Sequence, residues 1–397
     1  MNKFRKYPEQ LYFLYYTLLY AGIAVYGGYI SIYYMKAGFS LSEIGTLTTV
    51  GPLFSLFVQP VWGMVSDRTG RHRLVLTISL IGSVLSVLLY SLHTGYVFYL
   101  IITMVFMLFY TAIQPLSDTI SVDYLTRSGY NYSAVRMGGS IGYSVVVLLL
   151  GNFFNDHLSL LFALCAGLLL LALFSTALLP KEQPKPDAAV PDSAPAESKP
   201  FNRRRLILLI GFSCVLFFAL SFNISFVGIY AKEMTASGTL LGVALCASSI
   251  SEVPVLLLIT KYSRRFNQIN IFTIVTFTGF LLGARMLLYF FAQGIGMVIF
   301  AQALQGITSM LLFYSMVTYI NREVPTAHKA TGQSALVIAQ SGISSILGNT
   351  GGGYVSEWIG LRQTYLLTAV IVLAATALFA VAYLLHRKHT TQTRPTS

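Results

Sequence analysis

Charge is scarce in this chain, and acidic charge scarcest of all. Asp, Glu, Lys and Arg together make up 10% of its 397 residues, with 14 acids against 26 Lys and Arg. Set beside 55% hydrophobic residues, that poverty excludes a water-soluble globular protein. The formal net charge of +12 does not point to nucleic acid, because the basic residues recur in short clusters between apolar runs. Cysteine is rare too. Cys165, Cys214 and Cys246 each sit inside an apolar stretch without pairing or metal-ligand spacing, so they read as small core residues. His72, His93, His157, His328, His386 and His389 lie in loops or at the ends of apolar runs, which excludes a histidine proton relay in the apolar interior. No nucleophile–base constellation, metal-ligand cluster or phosphate loop occurs, so neither an enzyme nor a cofactor is expected.

What the chain has instead is long apolar runs. A membrane span needs about 20 apolar residues to cross a hydrocarbon core of about 30 Å. Twelve candidates follow, at about 11–34, 43–63, 74–92, 97–124, 134–153, 159–179, 206–230, 240–260, 270–291, 295–320, 332–355 and 364–385. The first is too long for a cleavable signal and has no closing cleavage site, so it reads as a retained helix. Helices are expected throughout, because the runs lack the alternating ten-residue pattern of barrel strands. Ser40-Leu41-Ser42-Glu43 reads as a capping box opening the second span, and Asn321 to Pro325 as a stop after the tenth. The long hydrophilic segment 181–205, rich in Pro, Ala, Ser and Asp, reads as a flexible linker. It divides an N-terminal six-helix bundle (1–180) from a C-terminal one (206–397) that ends in a short basic tail. Faint repetition about 195 residues apart supports related halves: Val58-Gln59-Pro60-Val61 with Glu252-Val253-Pro254-Val255, and Leu150-Gly151-Asn152 with Leu347-Gly348-Asn349. Lys and Arg crowd the termini and the even-to-odd turns, whereas the odd-to-even turns hold only Lys36, Lys232 and Arg362. That asymmetry places both termini in the cytoplasm.

Charges inside spans cost about 2.5–3.5 kcal/mol each on insertion scales, so they mark an interior cavity or a partner. Asp118 lies in the fourth span, Glu252 in the eighth and Arg285 in the ninth. A carboxylate bordering a wet cavity can exchange a proton as the cavity opens to either face, and a neighbouring arginine can hold it ionised. Static ties between helices are the competing reading, and for Asp118 that tie would be Arg136 or a hydroxyl of the fifth helix. Arg285 lies roughly 10 Å further from the cytoplasm than Glu252, so a direct pair would need a reaching side chain or a kink at Pro254. Asp123 and Arg136 sit nearer the cytoplasmic ends and form a candidate charge pair. Asn223, Gln302, Gln305, Gln340 and Asn349 could line the cavity, or simply glue helices together. Among the tyrosines of the first span, Tyr20, Tyr26 and Tyr29 are candidates to face a solute, while the others fit membrane interfaces.

The turn Gly63-Met64-Val65-Ser66-Asp67-Arg68-Thr69-Gly70-Arg71-His72-Arg73, with the helix count and central linker, resembles the major facilitator superfamily of transporters. A closer likeness is to the phenylpropionate permease group, which has lactose permease and nucleoside symporters as relatives. It rests on Pro60-Val61-Trp62-Gly63, Pro115-Leu116-Ser117-Asp118, Val135-Arg136-Met137-Gly138-Gly139, Ser251-Glu252-Val253-Pro254, Arg285 and Gln302-Ala303-Leu304-Gln305-Gly306. The resemblance implies the major facilitator fold, and secondary active transport of a small organic solute across the cell membrane by alternating access. Proton symport is the leading form. Export of drugs or metabolites is the alternative, although the Arg of the fourth helix and the Gly-Pro of the fifth that mark such exporters are missing. It also implies that Gly63, Asp67, Arg68, Gly70 and Arg71 gate the cycle without touching solute. The second-half counterpart, Lys261 to Arg265, lacks the acid, and Gln305 stands where relatives often carry histidine. Expected partners are the solute, protons and lipid, with no nucleic acid, and the working unit is a monomer. The orientation is directly testable. Green fluorescent protein fused after Ser397 should fluoresce in a bacterial host and alkaline phosphatase fused there should be inactive; the reverse pattern would overturn it.

Overall fold

In hydrocarbon each peptide N–H and C=O must find its partner within the segment, which leaves helices as the answer for apolar runs of this length. The computed structural model describes residues 8–180, 203–266 and 268–392, and among these residues there is no strand. The N-terminal half holds α1 (Pro8–Lys36), α2 (Leu41–Thr69), α3 (His72–Leu89), α4 (Tyr96–Arg127), α5 (Tyr132–His157) and α6 (Leu161–Leu178). The C-terminal half holds α7 (Arg203–Met234), α8 (Gly238–Lys261), α9 (Ile271–Phe291), α10 (Ile295–Glu323, with a break at Leu304), α11 (326–359) and α12 (Leu361–Gln392).

Ten stretches among the described residues are long and apolar enough to cross a membrane. One of them, Ala134–Leu178, contains both α5 and α6, parted by the short turn Leu158–Leu160. α11 falls outside that set because Thr, Ser, Gly, Gln and His dilute its apolar content. The helices outrun the apolar runs that announce them. At 29 residues α1 is about 43 Å long, so its ends stand clear of the hydrocarbon. α7 likewise takes in Arg203, Arg204 and Arg205, which the sequence assigns to the linker; the rest of that segment, 181–202, lies outside the described residues.

Local signals hold where expected. Ser40 caps α2 reciprocally with Glu43, and Gly70 ends the helix in the left-handed region at φ 61°. Serine caps both corresponding helices, Ser40 on α2 and Ser237 on α8, and a glycine follows five residues later in each, Gly45 and Gly242. These two glycines do the same work. A Cβ on Gly45 would collide with the Asn349 carbonyl of α11, and one on Gly242 would press on the Val147 carbonyl of α5. The repeat therefore specifies two matching crossings between the halves, α2 with α11 and α5 with α8.

Both crossings are tight at the end of the bundle away from residues 8 and 392, the distal end. Gly151 and Gly238 meet backbone to backbone, and Gly353 lies on the Leu41 carbonyl. Around them, Thr49 and Thr350 hydroxyls lie 2.8 Å apart, and the Ser42 N–H donates to Glu357 at 3.1 Å. Lys232 donates to Asn155 Oδ1 at 2.5 Å, and Asn155 Nδ2 donates to the Ala236 carbonyl at 3.2 Å. Hydrogen bonds from Ser42 and Ser40 hold the exposed Glu357 carboxyl below its ordinary range. The distal end is thus closed in this structure by carbonyl-on-glycine contact.

That closure predicts the effect of one methyl-bearing side chain. Gly238→Val should prevent the seam from closing. With the native cysteines replaced, a reporter Ile32→Cys, buried beside the seam, should then react about tenfold faster with a membrane-impermeant thiol reagent. Equal rates with and without Gly238→Val would show that the seam does not depend on bare glycine.

Candidate functional site

The N-terminal half gathers its polar groups around Asp118. Tyr12, Tyr16 and Tyr20 recur every four residues on α1 and so share a face turned to α4 and α5. Tyr16 donates to Asp118 Oδ1 at 2.8 Å, Tyr132 of α5 donates to the same oxygen at 2.9 Å, and Arg136 Nε lies 3.4 Å from it. The Arg136 guanidinium bonds Tyr20 and stands over its ring, 4.3 Å from the centroid. Tyr15 and the neighbouring Ser117 hydroxyl are 2.5 Å apart. The Asp118 and Arg136 side chains are 30% and 25% exposed, so the pair is only partly closed in by the protein.

Of the two partners the sequence leaves open for Arg136, the structure brings it to Asp118 and not to Asp123. Asp123 follows Asp118 by five residues, which turns it about 140° around the helix and away from α5. It bonds Arg127 on its own helix at 2.8 Å, both groups in water, and Arg136 goes to Asp118.

The C-terminal half builds the opposite kind of cluster. Arg285 is fully buried on α9. Its Nε donates to the Ala301 carbonyl at 2.8 Å, and its terminal nitrogens donate to Thr308 at 3.3 Å, Tyr289 at 3.1 Å and Gln302 at 2.9 Å. Gln302 Oε1 also accepts from Tyr289 at 2.7 Å and from Asn223 at 3.3 Å, and Tyr365 donates to Asn223 Oδ1 at 3.3 Å. Arg285, Gln302 and Asn223, read in the sequence as cavity groups, instead bond one another in a buried knot. Glu252 stays apart. Half-buried on α8, it accepts from the Ser309 hydroxyl at 3.3 Å and forms no ion pair among the described residues. Gln305 is buried at the break in α10, its Oε1 without a hydrogen-bond partner. There Gly306 lies against the Ser251 backbone and donates its N–H to the Ser251 hydroxyl at 2.9 Å.

Between the halves, beneath the distal closure, lies a cavity of about 240 Å³. α1 contributes Tyr26 and Ser31 to it, α2 Thr48, α7 Ser221 and Ser225, and α11 Ser345 and Asn349. Tyr26 is 7% exposed and packs on Phe106 and Tyr110, its hydroxyl 3.3 Å from that of Tyr90. Tyr29 is instead spent on the Val147 carbonyl. Around Ser345 and Asn349, α11 widens into two π-helical stretches, Ile338–Ile343 and Ile346–Gly351, a geometry concentrated at working sites. Sequence reasoning missed the lining serines, which carry no positional signal in an apolar helix. It also missed Tyr16 and Tyr132, and for Tyr16 the four-residue spacing was available.

At the proximal end α2 runs through the charged motif as far as Thr69, so the turn itself is only Gly70 and Arg71. Asp67, Arg68 and Arg71 are exposed, and Asp67 forms no ion pair among the described residues. Gly63 lies mid-helix with open space beside it. Trp62 Nε1 donates to the Leu108 carbonyl at 2.8 Å, and Gln59 to that of Thr111 at 3.0 Å, fixing the motif on α4.

Comparison with known proteins converges on transport. The chain is 25% identical over 365 residues to a maltose permease of Geobacillus stearothermophilus, covering 90% of each chain. It is 25% identical over 382 residues to the raffinose permease of Escherichia coli, covering 86% of this chain and 84% of that one. Similarity to the uncharacterized transporter YwbF of Bacillus subtilis (strain 168) is 24% over 346 residues, covering 84% and 82%. In fold it resembles the crystal structure of the nucleoside transporter NupG, with a TM-score of 0.77 at 18% identity over 96% of this chain and 99% of that one. A bacterial homolog of the human lysosomal transporter Spinster, in its inward-facing and unoccupied form, gives 0.67 at 16% identity over 96% and 97%. Residues 9–367 match the MFS_1 like family. The chain belongs to that family, and is a multi-pass membrane protein and secondary transporter of the major facilitator type rather than an enzyme.

Proposed function

We propose that this transporter takes up a neutral, polyhydroxylated solute, of the saccharide class, together with protons. One observation carries the reading: both arginines within the spans are satisfied by the protein itself. Arg285 is sealed among Ala301, Thr308, Tyr289 and Gln302, and Arg136 is balanced by Asp118. Neither is left over to neutralise an anionic solute. The accessible groups are hydroxyls, amides and carboxylates, which suit sugar hydroxyls, and tyrosine rings, which suit a sugar face. The names of the maltose and raffinose permeases agree with this class.

Within this reading Asp118, oriented by Tyr16, Tyr132 and Arg136, accepts hydrogen bonds from solute hydroxyls. Glu252 carries the proton. Its protonation breaks no ion pair among the described residues, and Ser309 can serve either charge state of the carboxyl. With both termini in the cytoplasm, the closed distal end faces outward, and the cavity is the inward-open half of an alternating cycle run by a single chain. Asp67, Arg68 and Arg71, with Gly63 and Gly70, are proposed to close the proximal end in the opposite state.

Two variants test the division of labour with radiolabelled maltose in right-side-out vesicles. Glu252→Gln should abolish accumulation against a gradient while retaining exchange. Asp118→Asn should weaken half-saturation by about tenfold or more, as expected for loss of charge-assisted hydrogen bonds. Undiminished uphill uptake in Glu252→Gln would remove that residue from coupling, and transport of a sugar acid in preference to a neutral sugar would refute the solute class.

A further inference from the structure

A second opening lies far from Asp118, on the distal face of the N-terminal half. Its volume is about 530 Å³, within the range of about 300–1,000 Å³ that encloses small ligands. Three turns build it: the end of α1, the start of α4, and the link between α5 and α6. The aromatic part of the wall is Tyr33, Phe39 and Tyr99. The Tyr33 and Tyr99 hydroxyls are 3.0 Å apart, and Phe39 meets Tyr99 edge to face at 5.4 Å between centroids. Lys36 and Asp156 line the same opening, and among the described residues they form no ion pair with each other or with any other group.

Two opposite charges that border one cavity without meeting leave a donor and an acceptor for something between them. A zwitterionic amino acid would use both, but its charges are close together and its bulk is small for this space. A saccharide offers hydroxyls over a longer span and an apolar ring face for the half-buried Tyr33 and Phe39, which the buried Tyr99 backs. The opening also has a direction. Lys36 and Leu158 belong at once to a neighbouring cavity of about 270 Å³, whose far wall is Lys232 and Leu241 of the other half. That second space sits on the α5–α8 seam beside Gly151, so parting the seam would join the crevice to the route between the halves.

We infer that the crevice walled by Tyr33, Phe39, Tyr99, Lys36 and Asp156 is an outer capture site for a neutral saccharide, holding it at the α5–α8 seam while the distal end is closed. The inference rests on the saccharide reading for the solute class, yet the site is measurable without transport. Isothermal titration of purified full-length protein in nanodiscs with maltose and raffinose separates the two locations. Asp118→Asn, which weakens the central site, should leave the crevice's own weak, saturable binding unchanged. Adding Lys36→Ala and Asp156→Ala, both exposed side chains, should weaken that binding by at least about tenfold. If the triple variant melts earlier than its parent, the milder set Asp118→Asn, Tyr33→Phe and Asp156→Asn should still lower affinity. Loss of all binding in Asp118→Asn overturns the crevice, as does equal binding with and without the added substitutions. Saturation by a zwitterionic amino acid in place of either sugar overturns the saccharide class at this site. Vesicles that accumulate neither sugar, while the crevice still binds one, would sink the transport reading alone.

Discussion

A guanidinium cannot shed its charge, and hydrocarbon offers it no partner; the C-terminal half is arranged around that fact. Arg285 draws in a carbonyl from α10, an amide that is itself held by Asn223 of α7, and hydroxyls from α9 and α10. One side chain therefore fixes the relative rotation of three helices, and through the Asn223 contact with Tyr365 it reaches a fourth, α12. The break at Leu304 belongs to the same arrangement. Breaking the ladder there lets the Ala301 carbonyl and the Gly306 N–H turn to partners outside α10, Arg285 in one case and Ser251 in the other.

The two halves use similar helices for unlike ends. In the N-terminal half the charged pair is left wet, and its tyrosine partners are rigid groups that bring rings as well as hydroxyls. In the C-terminal half the cation is closed in, and Glu252 stands separately, with a single hydroxyl. Such separation is what the proposed function uses, with Asp118 assigned to the solute and Glu252 to the proton.

Much of the fold was legible in the sequence, because membrane spans are announced by composition and their ends by caps. Ser40, Glu43 and Gly70 behave as their residue types require. What escaped was rotation. Arg136 could be matched in the sequence to Asp118 or to Asp123, and the positions of the two acids along α4 do not choose between them, since one turn of helix separates a shared site from open water. α11 escaped the apolarity criterion for a different reason. Its small and polar residues are what allow it to lie on α2 and border the cavity, so the features that make it useful also disguise it as a span. The lining serines were invisible for want of any pattern that distinguishes a cavity hydroxyl from one bonded back to its own helix.

The distal seam carries one more consequence. Where Gly151 rests on Gly238 and Gly45 on Asn349, the surfaces in contact are bare main chain. Such surfaces have no rotamers to freeze on meeting, and their backbone groups stay bonded within their own helices when they part. Apart from the hydrogen bonds around them, such as Thr49 with Thr350 and Lys232 with Asn155, little has to rearrange as they part. A clasp of that kind suits a reversible machine, because the direction of turnover is left to the gradients on either side rather than to the protein.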